Sequence, residues 1–265
     1  MKTKLRALLI TGLAAGVALA MLPLTASATH SWGGYHWART ANPFTLKLGD
    51  NVSPTWDSYL VTTSGDWSSP SSLGLASEPD VLDTTIVPGA ANPKNCRATL
   101  GRVEVCNSTY GGTGWLGVAQ IWISGSHIAQ GTVKVNDTYF NTAKYNTSAW
   151  RNLVMCQEVG HTFGLDHQDT SFSNTNLGTC MDYTNDPSSN QHPNAHDYEE
   201  LGIIYAHFDS TTTVGTMPAG MKNGTFDTPA QWGKLKSLSA NGRSAIYERD
   251  FGGGNLVLTH VTWAE

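Results

Sequence analysis

Eleven consecutive residues, Gln157-Glu158-Val159-Gly160-His161-Thr162-Phe163-Gly164-Leu165-Asp166-His167, constrain the folding of this chain more tightly than any other stretch. Gln157 and His161 are four apart, so on a helix they project from one face, one turn above the other. Glu158 lies about 100° around the helix from Gln157, placed to meet a water held by its neighbours without joining them. A glycine at 164 permits a backbone conformation that other residues resist, so the chain can leave the helix sharply and bring His167 back to the same point. The spacing thus calls for a helix, a tight turn and three converging polar side chains with a carboxylate beside them.

At the amino end, Lys2, Lys4 and Arg6 precede a mostly apolar run from Ala7 to Leu24, and Ala26-Ser27-Ala28 supplies a small-x-small cleavage pattern. Residues 1–28 are expected to be a signal peptide cut after Ala28, because Gly12, Gly16 and Pro23 dilute the run too far for an anchor. No later segment reaches the roughly 18 uninterrupted apolar residues of a membrane span. The mature chain is therefore expected to be secreted, extracellular, free of the membrane and monomeric. Removing three basic residues from the 16 leaves 13 against 21 acidic ones, a net charge of −8. That balance excludes a nucleic-acid-binding surface.

Four cysteines in an exported chain favour two disulfides. Three connectivities are possible; the sequence-local pairings, Cys96–Cys106 and Cys156–Cys180, are preferred. Phe44-Thr45-Leu46-Lys47-Leu48 alternates with period two and predicts a strand, and Ser53-Pro54 suits the start of a helix through Trp56, Tyr59 and Leu60. Further strands are predicted at Val81 to Val87, Leu116 to Ile123 and Ile128 to Val135, the last two joined at Ser124-Gly125-Ser126. A helix capped by Ser148 should run to Phe163, and a second should carry Tyr198, Leu201, Ile204, Tyr205 and Phe208. The tail from about 210 is rich in Thr and Gly and ends in strand-like runs at Ser244 to Tyr247 and Leu256 to Trp263, expected as a hairpin against the main domain.

Past a polar loop beyond His167 comes Cys180-Met181-Asp182-Tyr183. With these residues the chain resembles the metzincin clan of zinc endopeptidases, matrixin-like, whose long pattern His-Glu-x-x-His-x-x-Gly-x-x-His precedes a tight turn carrying Met beneath the metal. Here Gln157 stands in place of the first His. The resemblance implies an α+β fold, with a twisted, mostly parallel sheet of about five strands, an active-site helix, a Met-turn and a C-terminal helix. It covers residues 29–209 and leaves 210–265 as a small β-rich extension. It further implies Zn2+ held by Gln157, His161 and His167, Glu158 as general base, Met181 as the hydrophobic floor, and Tyr183 binding the metal or stabilising an oxyanion. The strand at Leu116 to Ile123 would pair with an extended protein or peptide substrate.

An amide oxygen is a poorer donor than imidazole for zinc. Gln157 therefore leaves three outcomes: a weak third ligand, replacement by Tyr183, Asp169, His127, His192 or His196, or loss of the metal. Two functions follow. One is a secreted zinc endopeptidase; the other is an inactive domain acting as an extracellular protein- or carbohydrate-binding module, with Trp32, Trp37, Trp232 and Trp263 the candidates for exposed aromatic contacts. No propeptide of useful length separates Ala28 from the first strand, so latency through an N-terminal cysteine is not expected.

Overall fold

Alternating patterns become strands throughout the computed structural model, which describes residues 30–265; the expected signal peptide lies outside the described residues. In chain order the elements are β1 (His36–Trp37), β2 (Phe44–Asn51), α1 (Asp57–Ser68), β3 (Leu82–Pro88), β4 (Arg102–Ser108), β5 (Trp115–Ser124) and β6 (His127–Asn136). There follow α2 (Asp137–Phe140), α3 (Ser148–His161), α4 (Ala195–Ile204), α5 (Ala219–Lys222), β7 (Lys234–Leu238), β8 (Ser244–Asp250) and β9 (Asn255–Trp263). In β2, Leu46 and Leu48 turn into the core while Thr45 and Lys47 face water, as period two requires.

The sheet corrects the expected architecture. Instead of about five mostly parallel strands there are nine in a mixed sheet, ordered β3-β2-β4-β6-β5-β9-β8-β7, with β1 beside β6. Pairing is parallel among β3, β2, β4 and β6. It is antiparallel at every step from β6 outward through β5, β9, β8 and β7. The physical reason lies at β5. Its outer edge would leave a row of backbone donors and acceptors unpaired, and β9 takes that edge in register from Trp115↔Trp263 to Ser124↔Asn255. The tail is thus stitched into the sheet by main-chain hydrogen bonds rather than laid against it. The new edge, β7, is exposed along its length and carries Lys234 and Lys236, which discourage further pairing.

Both faces of the sheet are covered. One packs under α1 and α3, with Leu48, Val103, Val133, Val154, Val159, Phe163 and Leu258 among the buried residues. The other is roofed by the tail, where Met217, Met221, Phe226 and Trp232 meet Trp115, Val118, Trp122, Val257 and Val261. Trp32, Trp37 and Trp232 are buried and only Trp263 is partly open, so the exposed aromatic platform expected of a binding module is absent from these four. The Ser53-Pro54 pair forms a turn before α1 rather than capping it, since Ser53 accepts from Trp56 N–H and the helix begins at Asp57.

The two disulfides are Cys96–Cys106 and Cys156–Cys180, as preferred from the sequence. Each stabilises by about 3 kcal/mol in the chain-entropy picture, and such bonds persist in oxidising, extracellular surroundings. No described helix is long and apolar enough to cross a membrane.

Candidate functional site

Helix α3 begins one residue after Thr147, whose hydroxyl accepts from Trp150 N–H, and it ends at His161 with Thr162 as its cap. Gly164 follows at φ +99°, and a Cβ there would lie 2.1 Å from the Tyr35 carbonyl oxygen, so only glycine fits. The turn is braced by the amino-terminal segment: Trp32 N–H donates to Gly164 O at 2.8 Å, and Asp166 N–H to His30 O at 2.5 Å. His167 then returns beside His161, and Gln168 N–H bonds to Met181 O at 2.7 Å, tying this loop to the turn that carries Met181. Met181 is fully buried and its sulfur packs against Gly160, where a Cβ would approach to 2.7 Å.

The third member comes from the tail. His260 on β9 places its Nε2 3.0 Å from His167 Nε2, which in turn lies 3.1 Å from His161 Nε2. These three buried imidazoles form one group able to hold a metal ion. Two of their outer nitrogens are engaged: His161 Nδ1–H donates to the Leu165 carbonyl at 2.8 Å, and His260 Nδ1–H to Glu158 Oε2 at 3.0 Å. Trp32 stacks on the His161 ring, 4.8 Å away and within 4° of parallel.

Protonation decides what this cluster is for. Burial, reinforced by the neighbouring imidazoles, holds His161 and His167 well below the usual histidine range, and burial pushes His260 down to about 3. All three are neutral near pH 7. With Nδ1 protonated in His161 and His260, their Nε2 atoms present lone pairs, and His167 has one ring proton to share between two contacts. His167 Nδ1 itself is buried without a partner. A group of inward-facing lone pairs with too few protons between them is the donor arrangement that a metal cation relieves.

Glu158 is completely buried beneath β5, against Gly117, and burial raises its carboxyl to about 7 despite His161, Thr262 and the Ala119 N–H, which pull it down. Thr262 Oγ1 lies 2.7 Å from Glu158 Oε1 and 3.0 Å from Gln157 Oε1. Gln157 turns its amide nitrogen to the Cys180 carbonyl at 2.8 Å. Both ends of its side chain are therefore hydrogen-bonded, and it stands beside the three imidazoles rather than among the histidine group. Tyr183 packs its ring 3.8 Å from that of His167 and donates its hydroxyl proton to Ser244, whose Oγ is 2.9 Å from His260 Nε2. Burial keeps the Tyr183 phenol protonated far above neutrality.

The other candidate third ligands lie elsewhere. Asp169 holds the backbone of Ser171 and the Asn174 amide, His192 pairs with Asp66, His196 with Glu199, and His127 with Asp209. His260 is the residue that sequence reasoning missed. Its signal was present in the alternation of Leu256, Leu258, His260 and Thr262 along one face of β9, where two polar side chains follow two apolar ones on the side that packs toward α3.

A cleft of only about 10 Å³, lined by Gln157, Phe172, Tyr183, Arg243 and Thr262 among others, adjoins the cluster. It has room for about one water. No protein-family model matches this sequence, and no curated protein matches it.

Proposed function

We propose that the chain is a secreted zinc-dependent endopeptidase in a closed state, with the metal held by His161, His167 and His260. The observation that carries this reading is the convergence of three neutral imidazole Nε2 atoms about a buried point, two of them 3.0 and 3.1 Å from the same nitrogen. Zinc–nitrogen bonds of about 2.0–2.1 Å place tetrahedral donors about 3.3 Å apart, close to that spacing. The outer hydrogen bonds from His161 to a carbonyl and from His260 to a carboxylate are the supporting contacts that zinc ligands ordinarily make.

When bound, zinc supplies a Lewis acid that polarises a peptide carbonyl and acidifies water. Glu158, beside His161 on the helix, would take the proton of the attacking water and pass it to the departing amine. Tyr183 is protonated and gives its hydroxyl proton to Ser244 of β8 in the closed state; released from that bond, it would donate to a developing oxyanion.

The substrate's place is occupied. β9 fills the edge of β5, and its His260 and Thr262 hold Glu158. An extended peptide can enter only if β9 leaves and takes His260 with it, so the open state would hold the ion through His161 and His167 with the Gln157 amide oxygen, then released by Thr262, in the vacated place. This closure also favours a second reading, an inactive domain in which the metal ties the tail to the body and Glu158 serves only to orient His260.

Metal content by elemental analysis, combined with peptide cleavage, separates the two. The intact chain is compared with protein cut at a protease site engineered into the exposed segment 210–213. Chelator-sensitive cleavage that Glu158→Gln abolishes while zinc stays bound supports the endopeptidase. Bound zinc with no cleavage before or after cutting refutes it and leaves the inactive domain.

A further inference from the structure

A second group of ligand-type side chains lies away from the Glu158 centre, where the amino-terminal strand meets the segment leading into the tail. His36 Nε2 is 3.2 Å from His207 Nε2 and 3.6 Å from Asp209 Oδ1, and His207 Nε2 is 3.8 Å from the same oxygen. These separations bracket the roughly 3.3 Å expected between donors around one tetrahedral ion. The three residues come from two distant stretches, brought together because Arg39 and Asp209 exchange one backbone and one backbone-to-carboxylate hydrogen bond: Asp209 N–H donates to Arg39 O at 2.8 Å, and Arg39 N–H to Asp209 Oδ2 at 3.0 Å.

The carboxylate is divided between two tasks. Oδ2 also accepts from the Arg39 guanidinium at 3.3 Å, which fixes the group and leaves Oδ1 directed at the imidazoles. His127 donates to Oδ1 at 2.9 Å and uses one of its lone-pair positions; the other remains toward His36 and His207. His36 Nδ1–H is committed to the Gly34 carbonyl at 2.9 Å, so its Nε2 presents a lone pair inward. An imidazole lone pair and a carboxylate oxygen thus face each other at 3.6 Å, with His207 Nε2 within 3.8 Å of both. His207 is exposed, so the position beyond the three donors is open to water.

We propose that His36, His207 and Asp209 form a second metal site, which takes a divalent transition ion through two imidazoles and one carboxylate with a fourth position left to solvent. Nitrogen and carboxylate donors in this number suit zinc, which completes its shell with water. The ion clasps β1, and with it the segment that braces the Gly164 turn, to the stretch where α4 gives way to the tail. This site does not depend on the reading of Glu158 as a catalytic base, and its ligands are disjoint from His161, His167 and His260.

The test is zinc stoichiometry on the full mature chain after equilibration with zinc and removal of loosely held metal. His207→Ala, at an exposed position, should remove one zinc ion per chain and leave the other. His207→Cys, which keeps a ligand of suitable chemistry, should restore it, and Asp209→Asn should weaken it. His161→Ala combined with His167→Ala should remove the other ion and leave this one, so a failure of either centre is visible by itself. If wild type and His207→Ala hold the same number of zinc ions, or if His207→Cys fails to restore one that His207→Ala has lost, the second site is refuted.

Discussion

Glu158→Gln is the sharpest perturbation of the closed centre, because it removes a charge without changing shape. In the folded protein the Glu158 carboxyl is raised from 4.5 to about 7, chiefly by burial. A group that binds its proton more tightly folded than unfolded contributes stability that is fully present below 4.5 and is lost as the pH rises through about 7. The span is 2.5 units, and at 1.36 kcal/mol per unit it amounts to about 3 kcal/mol. The hydrogen bonds from Thr262 and the Ala119 N–H oppose this shift without cancelling it, so burial remains the cause that decides the sign.

Metal-free protein should therefore lose about 3 kcal/mol between pH 4.5 and 7 that Glu158→Gln retains. His260 acts in the opposite sense. Its folded value of about 3 means stability is present above 6.5 and lost as the pH falls toward 3; both proteins carry that buried imidazole, so the difference between them reports chiefly on Glu158. Urea unfolding of chelated wild type and variant across about pH 4 to 9 gives that difference directly, and at neutral pH it corresponds to a shift in Tm of roughly 6–12 °C. Curves that stay parallel through the whole range would refute the reasoning. Added zinc should shrink the difference, since a cation held by His260 and His161 compensates the buried carboxylate.

Three further outcomes follow from the same contacts. Gly164→Ala forces a Cβ to within 2.1 Å of the Tyr35 carbonyl at φ +99° and should lower stability by more than about 1 kcal/mol and weaken zinc binding; an unchanged Tm and zinc affinity would overturn the role given to this turn. Gly117→Ala sets a Cβ 2.6 Å from Glu158 Oε1 and 2.7 Å from Val154 Cγ1, so thermal unfolding should show a loss of about 1–3 kcal/mol. Replacing Cys156 and Cys180 together by Ser should cost about 3 kcal/mol; it should also speed amide exchange around Met181, and wild-type exchange there would show that the bridge does not hold the turn.

How much of this was legible in the sequence depends on the range of the interaction. Period-two and helical patterns located β5, β6, β9 and α3 to within a residue or two, and the starts of β2 and β8, each of which runs three residues further than expected, because each records a local choice of buried face. Gly164 announced the turn because positive φ and close approach are local demands as well. What could not be read was partnership. Nothing within Leu116 to Ile123 says whether its edge is to be met by a substrate or by the chain's own residues 255–263. Nothing within residues 157–167 says that the third imidazole lies 93 positions beyond His167. β7, exposed at every position, carries no burial pattern at all and has to be inferred from its neighbour.

The absent first histidine and the strand on the edge of β5 are best understood as one feature. Gln157 is on the same face as His161, yet its amide is spent on the Cys180 carbonyl and on Thr262 of β9, while His260, two residues before that threonine on the same face of the same strand, lies among the imidazoles. A histidine at 157 would compete with His260 for one ion; glutamine leaves the position to the tail and helps to hold the tail there. Exchange of the two should then be reciprocal. His260→Ala should weaken zinc by more than the roughly 100-fold that loss of even a supporting partner causes, and Gln157→His in that background should recover it. Gln157→His alone should change zinc affinity little, because three imidazoles already suffice. Recovery is to be read by zinc titration, and the cleft by exchange of the β9 amides, which should quicken once His260 no longer anchors the strand. If Gln157→His fails to rescue His260→Ala while the fold stays intact by circular dichroism, the two positions are not alternatives for the same ion.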